Sequence, residues 1–464
     1  MKRIVKYIFF FLLVIGIGKS FSQNSFQRSY GLRGDEIIYS VCESPDTSIV
    51  MVGVTNSYEL SDKYPQHKKI YVVDTDSSGQ LMWGRIYGGD HVDIAKDIYP
   101  TRDGGYIITG NTRSFQPNIG VKDKKKELLV LKINKNGGVE WSKTYGGENH
   151  DYGFCVRQTL DGGYIVAGET NSFESSSSDI YILKLDFEGN LQWSKRMGGK
   201  NLEYAFEIVE TYDGYVLAGE TNTFGVGNYD IFLMKIDKDG EVQWTKTYGG
   251  ISEEYGYDLE YTADEGFVLT GSSYSFGLGR LDYYVLRLDK QGDILWSRVY
   301  GGESDDQAHS VKELKNGDFL VAGFSSSFFN QLNGEDVYVL RLSEKGSVRW
   351  SKIYGGKFGD YAVYCLESKK GDFLIAGETA SFNGFDDRDT YVIRMHDDQK
   401  LSTCEQSRVQ TKTYNIKFLV KDQTLKAIKT PTIEKDVPIE SIEVLTAENI
   451  ICINDMQVIE SRDK

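Results

Sequence analysis

From residue 23 onward the chain reads as short apolar runs broken by glycine turns. Runs such as YIVAG (164–168) and DIYILKLD (179–186) are apolar at nearly every position rather than every second one. A strand with one wet face alternates, so continuous apolarity calls for strands covered on both faces. The turns between them, such as LDGG (160–163) and FEGN (187–190), place Asp-Gly or Gly where hairpins need a positive φ. The runs are rich in β-branched and aromatic residues, which favours strands over helices.

One word recurs down the chain. WSKTYGGENHDYG at 141–153 has near-copies at Trp83, Trp193, Trp244, Trp296 and Trp350, and these six are all the tryptophans of the 464-residue protein. Between copies the order is constant: a strand after the glycine pair, a DGG-type turn, a YIVAG-type strand, a variable loop, a DIYILKLD-type strand, a second turn and the Trp-headed strand. Each unit therefore predicts four antiparallel strands, a to d. A four-stranded sheet covered on both faces fits radial packing of blades, with Trp at the head of strand d filling the gap between neighbours. Seven a-b-c sets begin near residues 36, 93, 151, 203, 254, 306 and 360, but only six are followed by a Trp-headed strand. The orphan FQRSYG from Phe26 supplies the seventh strand d. The expectation is an all-β, seven-bladed β-propeller of four-stranded antiparallel blades, closed by the N-terminal strand, which also removes the free sheet edges.

The pattern W-x-K-x-Y-G-G, D-G-G-Y-I-x-x-G, D-x-Y-x-x-K-x-D-x-x-G-x-x-x-W resembles the β-propeller repeats of proteins exported by bacteria and archaea, most of them uncharacterised, over about residues 26–404. The G-x-x-x-W hairpin is also similar to the tryptophan-docking repeats of quinoprotein dehydrogenases, although the upstream spacing differs and those enzymes usually have eight blades. The first resemblance implies the fold and export; the second implies an oxidoreductase alternative.

Residues 1–22 have a basic start and a short apolar run ending in small residues, the pattern of a secretory signal peptide. The expected organisation is a signal peptide (1–22), a propeller (23–404) and a short β-rich extension (405–464) of unassigned role, with the mature chain secreted, periplasmic or at the cell surface, without a transmembrane span and monomeric. The formal net charge of −15 argues against nucleic acid and anionic membranes as partners. Five cysteines show no C-x-x-C spacing; Cys42, Cys155 and Cys365 fall inside strands as buried thiols, and Cys404 with Cys452 is the pairing that would tie the tail to the body.

Every corner carries an acid five positions after its first glycine: Glu36, Asp93, Asp151, Glu203, Glu254, Asp306 and Asp360. Gathered at a channel mouth they would offer hard oxygen ligands to Ca²⁺; alternatively, each accepts the N–H groups of its own Gly-Gly corner. A second set pairs an acid at the start of strand c (Glu127, Asp179, Asp230, Asp282, Asp336, Asp389) with a base near its end (Lys132, Lys184, Lys235, Arg287, Arg341, Arg394). Blade one inverts both, with Lys69 and Asp74. Five residues of strand separate the two positions, so each must answer a different partner. The b–c loops differ most between copies, as binding loops on a fixed scaffold do, and each opens on an aromatic (Tyr58, Phe115, Phe173, Phe224, Phe276, Phe328, Phe382).

No H-E-x-x-H or G-x-S-x-G motif is present. The expected role is non-catalytic binding of a protein or glycan through the b–c loop face. The alternatives are a polysaccharide lyase or hydrolase, a quinoprotein-like oxidoreductase, or a structural surface component docked by its tail. Clustered His, Arg, Tyr and acidic side chains in the channel, not repeated between blades, would favour an enzyme.

Overall fold

The computed structural model describes residues 25–32, 34–56, 68–115, 125–175, 177–328, 334–382, 387–396 and seven short strands between 406 and 453. Residues 1–24, and with them the signal-peptide reading, lie outside this set, as do Tyr58, His67 and Cys404, the proposed partner of Cys452. Among the described residues there are strands and turns and no helix, and hence none long and apolar enough to cross a membrane.

Seven four-stranded antiparallel blades form the ring of a β-propeller. Strand a of the successive blades spans Glu36–Glu43, Asp93–Pro100, Asp151–Gln158, Glu203–Thr211, Glu254–Tyr261, Asp306–Glu313 and Asp360–Glu367. Strands b and c are buried along their whole length in nearly every blade, as their continuous apolarity requires. Strand d of blade seven is the N-terminal Phe26–Gly31, which pairs antiparallel with Asp389–Met395. The first strand of the chain thus completes the last blade.

The tail is laid along the rim. Gln406–Arg408 pairs with strand d of blade six, and the chain then runs backwards around the ring. Lys412–Asn415, Leu419–Gln423, Ile428–Lys429, Ile433–Asp436 and Glu440–Glu443 add to blades five, four, three, two and one. Ala447–Ile453 closes the circuit on Phe26–Gly31. Each blade becomes a five-stranded sheet, and residues 405–464, expected as an extension of unassigned role, belt the propeller. The N-terminal strand lies between Asp389–Met395 and Ala447–Ile453, so both chain ends lock the same blade.

The blades are joined by one repeated set of contacts. Tyrosines of the Y-G-G corners reach across to the c–d turn of the next blade: the Tyr87 hydroxyl donates to the Gly137 carbonyl at 2.8 Å, Tyr248 to Gly292 at 2.6 Å and Tyr300 to Gly346 at 2.6 Å. The Trp141, Trp193, Trp244 and Trp296 rings cover Gly189, Gly240, Gly292 and Gly346 of those turns. These glycines hold φ of +75° to +81°, a conformation a side chain would strain, and a Cβ on them would press against the indole, at Gly189 as close as 2.8 Å. The indoles are half-buried at the rim, and Trp83 and Trp350 pack likewise against the neighbouring cores.

Candidate functional site

Every strand a carries a bulge. Its pairing with strand b skips one residue, for example between Gly153 and Cys155 and between Gly256 and Asp258. The skipped residues are Tyr39, Lys96, Phe154, Phe206, Tyr257, His309 and Val363. A bulge frees a side chain from the pleat and re-aims it, here into the central channel, where these positions are the half-exposed ones of the innermost strand. The glycine of the YIVAG-type strand permits this: a Cβ at Gly168 would strike the Tyr152 carbonyl, and Gly219, Gly271 and Gly377 meet the same carbonyl of their own blades.

The bulged residues and those two positions before them build an aromatic collar on the b–c loop face. Tyr152 and Phe154 stack at 6.3 Å between centroids, and Phe154 meets Phe206 of the next blade at 5.3 Å. Tyr255 and Tyr257 stack at 6.4 Å, Tyr257 lies on His309 at 4.9 Å, and Phe324 meets Tyr361 at 5.0 Å. Tyr229 and Tyr274 extend the collar outward beside Tyr255. Burial alone lowers His309 to about 4, so it is a neutral ring at physiological pH.

Below the collar lies a charged layer in which two places around the channel answer each other: Asp97 and Asp258 hold the same register position in their blades, as do Arg157 and Lys312. Arg157 of blade three bonds Asp97 of blade two at 2.5 Å and Glu207 of blade four at 2.6 Å. Ser40 and the Val156 N–H also donate to Asp97, and the Cys155 thiol to Glu207 at 3.0 Å. Across the channel Lys312 bonds Glu260 at 2.9 Å and Asp258 at 3.5 Å and lies 5.4 Å over the Tyr364 ring. Burial pushes Glu207 up to about 7 against the pull of Arg157.

The seven corner acids are placed differently. All are fully buried, and each closes its own corner. Asp151 accepts the Gly147 N–H at 2.9 Å, the Ser172 hydroxyl at 3.0 Å and the Thr170 hydroxyl. Asp93 and Asp360 repeat this with Gly89, Ser114 and Thr112, and with Gly356, Ser381 and Thr379. Glu203 and Glu254 take Gly199 with Thr221 and Gly250 with Ser273. Asp306 takes Gly302 and Ser327, and Glu36 takes Leu32 and Thr55. Among the described residues no group of three or more His, Cys, Asp or Glu side chains converges to hold a metal ion.

The bases at the end of strand c find the Asp of their own a–b turn: Lys132 with Asp103 at 2.9 Å, Lys184 with Asp161 at 2.8 Å, Arg287 with Asp264 at 2.6 Å and Arg394 with Asp372 at 2.6 Å. In blade one the swapped Asp74 faces Asp46 instead, and burial first, then Asp46, raises it to about 7 against the hydrogen bonds of Ser48 and Trp83. The swapped Lys69 sits 3.3 Å from Asp93. The loop aromatics Phe173, Phe328 and Phe382 pack on Tyr181, Tyr338 and Tyr391 of strand c, as anchors. Cys42, Cys155 and Cys365 are buried free thiols.

No family model matches the chain. A regulatory protein of Caulobacter vibrioides, FlaEY, is 25% identical over 214 residues; the match covers 40% of this chain, which spans only 21% of that protein. Among solved structures, Sqt1 from Chaetomium thermophilum aligns over 79% of this chain and 98% of its own at 10% identity and a TM-score of 0.44. The NanB sialidase of Streptococcus pneumoniae aligns over 80% and 70% at 10% identity and a TM-score of 0.40. The fold defines a seven-bladed propeller, an architecture that fits a binding or scaffold role; any finer reading rests on the channel.

Proposed function

We propose that this is an exported, non-catalytic binding propeller that takes a glycan on the b–c loop face, at the mouth of its channel. The supporting observation is the collar of Tyr152, Tyr204, Tyr255 and Tyr361, half-exposed around the mouth and backed by Phe154, Phe206 and Tyr257. Tyrosine faces give large contact area at small entropic cost, and their hydroxyls satisfy polar ligand edges. Calorimetric titration and thermal melting of residues 23–464 against an oligosaccharide panel test the reading. A binder at about a hundred times its Kd stabilises the fold by about 2.7 kcal/mol, and Tyr255→Ala with Tyr361→Ala should remove that shift. If no oligosaccharide shifts the melt or titrates, the glycan reading falls and protein partners take its place.

The charged layer of Arg157, Glu207, Lys312 and Glu260 favours a second reading, a hydrolase or lyase, with Glu207, its carboxyl raised by burial, as the general acid. Against it, Glu207 Oε1 already accepts from Arg157, Cys155 and the Ile208 N–H. Turnover of any panel member that Glu207→Gln abolishes would establish the enzyme.

A further inference from the structure

The mouth of the channel is not uniform around its circumference. Over blades one and two four cations lie close enough to act on shared neighbours: Lys68 just before strand c of blade one and Lys126 before that of blade two on Lys96 at the bulge, and Arg113 after strand b of blade two with Lys126 on His150. Among the described residues none of the four has a carboxylate within ion-pair distance. The Lys96 ammonium lies 3.7 Å from the Tyr39 ring centre and the Lys126 ammonium 4.6 Å from that of Tyr152. Arg113 Nε is buried with no hydrogen-bond partner. Burial first, then Lys126 and Lys68, pull Lys96 down to about 8, with no acid among the influences on it. The titratable groups facing the cluster are His150, Glu169 and Glu378. His150 is lowered by burial and by Arg113, Lys126 and Lys125. Glu169 is pushed up to about 7 by burial against Lys126. Glu378 is paired with Arg388 at 2.5 Å.

Among the described residues no carboxylate forms an ion pair with this cluster; Glu169 and Glu378 reach Lys126 and Lys68 only at longer range. Unpaired, partly desolvated cations beside each other are unfavourable unless an anion joins them. Aromatic faces beneath two of them offer a flat apolar surface at the same place. We propose that the mouth over blades one and two is the subsite for a carboxylate-bearing sugar, the carboxylate lying among Lys96, Arg113 and Lys126 and the sugar ring against the Tyr39 and Tyr152 faces. This rests on the glycan reading and names the ligand class within it.

The test titrates residues 23–464 calorimetrically with three probes: a defined oligogalacturonate, its carboxyl-reduced neutral counterpart, and oligoglutamate. The oligogalacturonate should bind at least about tenfold tighter than the reduced form, and its affinity should fall with added salt. It should also fall as pH rises past about 8, where Lys96 loses its charge. Lys96→Gln and Lys126→Gln should each weaken the uronate about tenfold and the neutral probe distinctly less. Equal binding of the two sugars, or binding of neither, overturns the subsite and leaves the glycan reading to the oligosaccharide panel, where only the failure of every member overturns it. Oligoglutamate binding as tightly as the uronate overturns the sugar assignment in favour of acidic peptides. The comparison of probes on the unaltered chain decides the matter even if a variant misfolds.

Discussion

The rim and the channel of this propeller are built from the same strands on opposite plans. At the rim and in the corners the blades share one solution with few exceptions: an acid closing its Gly-Gly turn, a tyrosine reaching the next blade (Met197 in blade three), an indole over a left-handed glycine (Phe26 in blade seven), a base tied to its turn Asp (Asp74 in blade one). At the channel the backbone bulge repeats but its occupant does not, running Tyr39, Lys96, Phe154, Phe206, Tyr257, His309, Val363. A side chain needed seven times over serves the ring, because each blade must solve the same packing problem. A position whose backbone is kept while its chemistry changes is free to serve a ligand. By that criterion the corner acids belong to the scaffold and the bulge positions to the surface that meets a partner.

The largest effect should come from the rim as a whole. Deleting 406–464 uncovers the outer edge of all seven blades, and a row of unpaired edge groups invites pairing with another chain. The truncated chain should self-associate where the full mature chain does not, as read by sedimentation velocity. A truncated chain that stays monomeric and equally stable would mean the belt contributes nothing to the ring.

The charged layer sharpens the comparison, because it recurs at only two places around the channel and yet ties blades together. Arg157→Met leaves Asp97 and Glu207 without their cation, and removing one partner of a buried pair costs about 3–5 kcal/mol. Chemical denaturation should show that loss. A change under about 1 kcal/mol would show that water from the channel already solvates the pair. A corner acid stands next: Asp360→Ala strands the Gly356 N–H and the Thr379 hydroxyl, while the Ser381 hydroxyl keeps the Phe358 carbonyl at 3.1 Å. At about 1 kcal/mol or more for each of the two unpaired donors, the expected loss is about 2 kcal/mol. It should not depend on added Ca²⁺; a loss seen only with calcium present would return the acids to a metal-binding role.

How far each plan was legible follows from its physics. Repetition exposed strand order, blade number and closure by Phe26–Gly31, since turn glycines and continuous apolar runs are local signals. The bulge was hidden: it is a pairing defect between two strands, and only the small residue before it (Gly153, Ala205, Gly256, Ala308) hints at the crowding. The partner of Lys184 and its counterparts was within reach, because the Asp of each DGG turn recurs with them. The Arg157 layer joins residues fifty or more apart from three blades, which no spacing announces. The belt strands run for two to seven residues and bind through the backbone, which imposes no apolar period on the sequence.

Blade one provides the smallest and most specific test, since it breaks the rim's own rule. Asp74 occupies a position where the other blades carry a base, and burial raises it to about 7. A carboxyl raised in the folded state binds its proton more tightly there than in the unfolded chain, where it titrates near about 4. Between those values the folded state holds more protons, so this group's contribution to stability falls as pH rises from about 4 to about 7 and is level outside that window. Asp74→Asn should remove that slope without changing stability at pH 4. Asp74→Lys should go further, pairing with Asp46 as Lys184 pairs with Asp161, and should leave the protein more stable than the parent at pH 8 and no more stable at pH 4. If the parent and Asp74→Asn melt in parallel from pH 4 to pH 8, Asp74 is solvated from the rim and the inverted blade is only a neutral variation on the repeat.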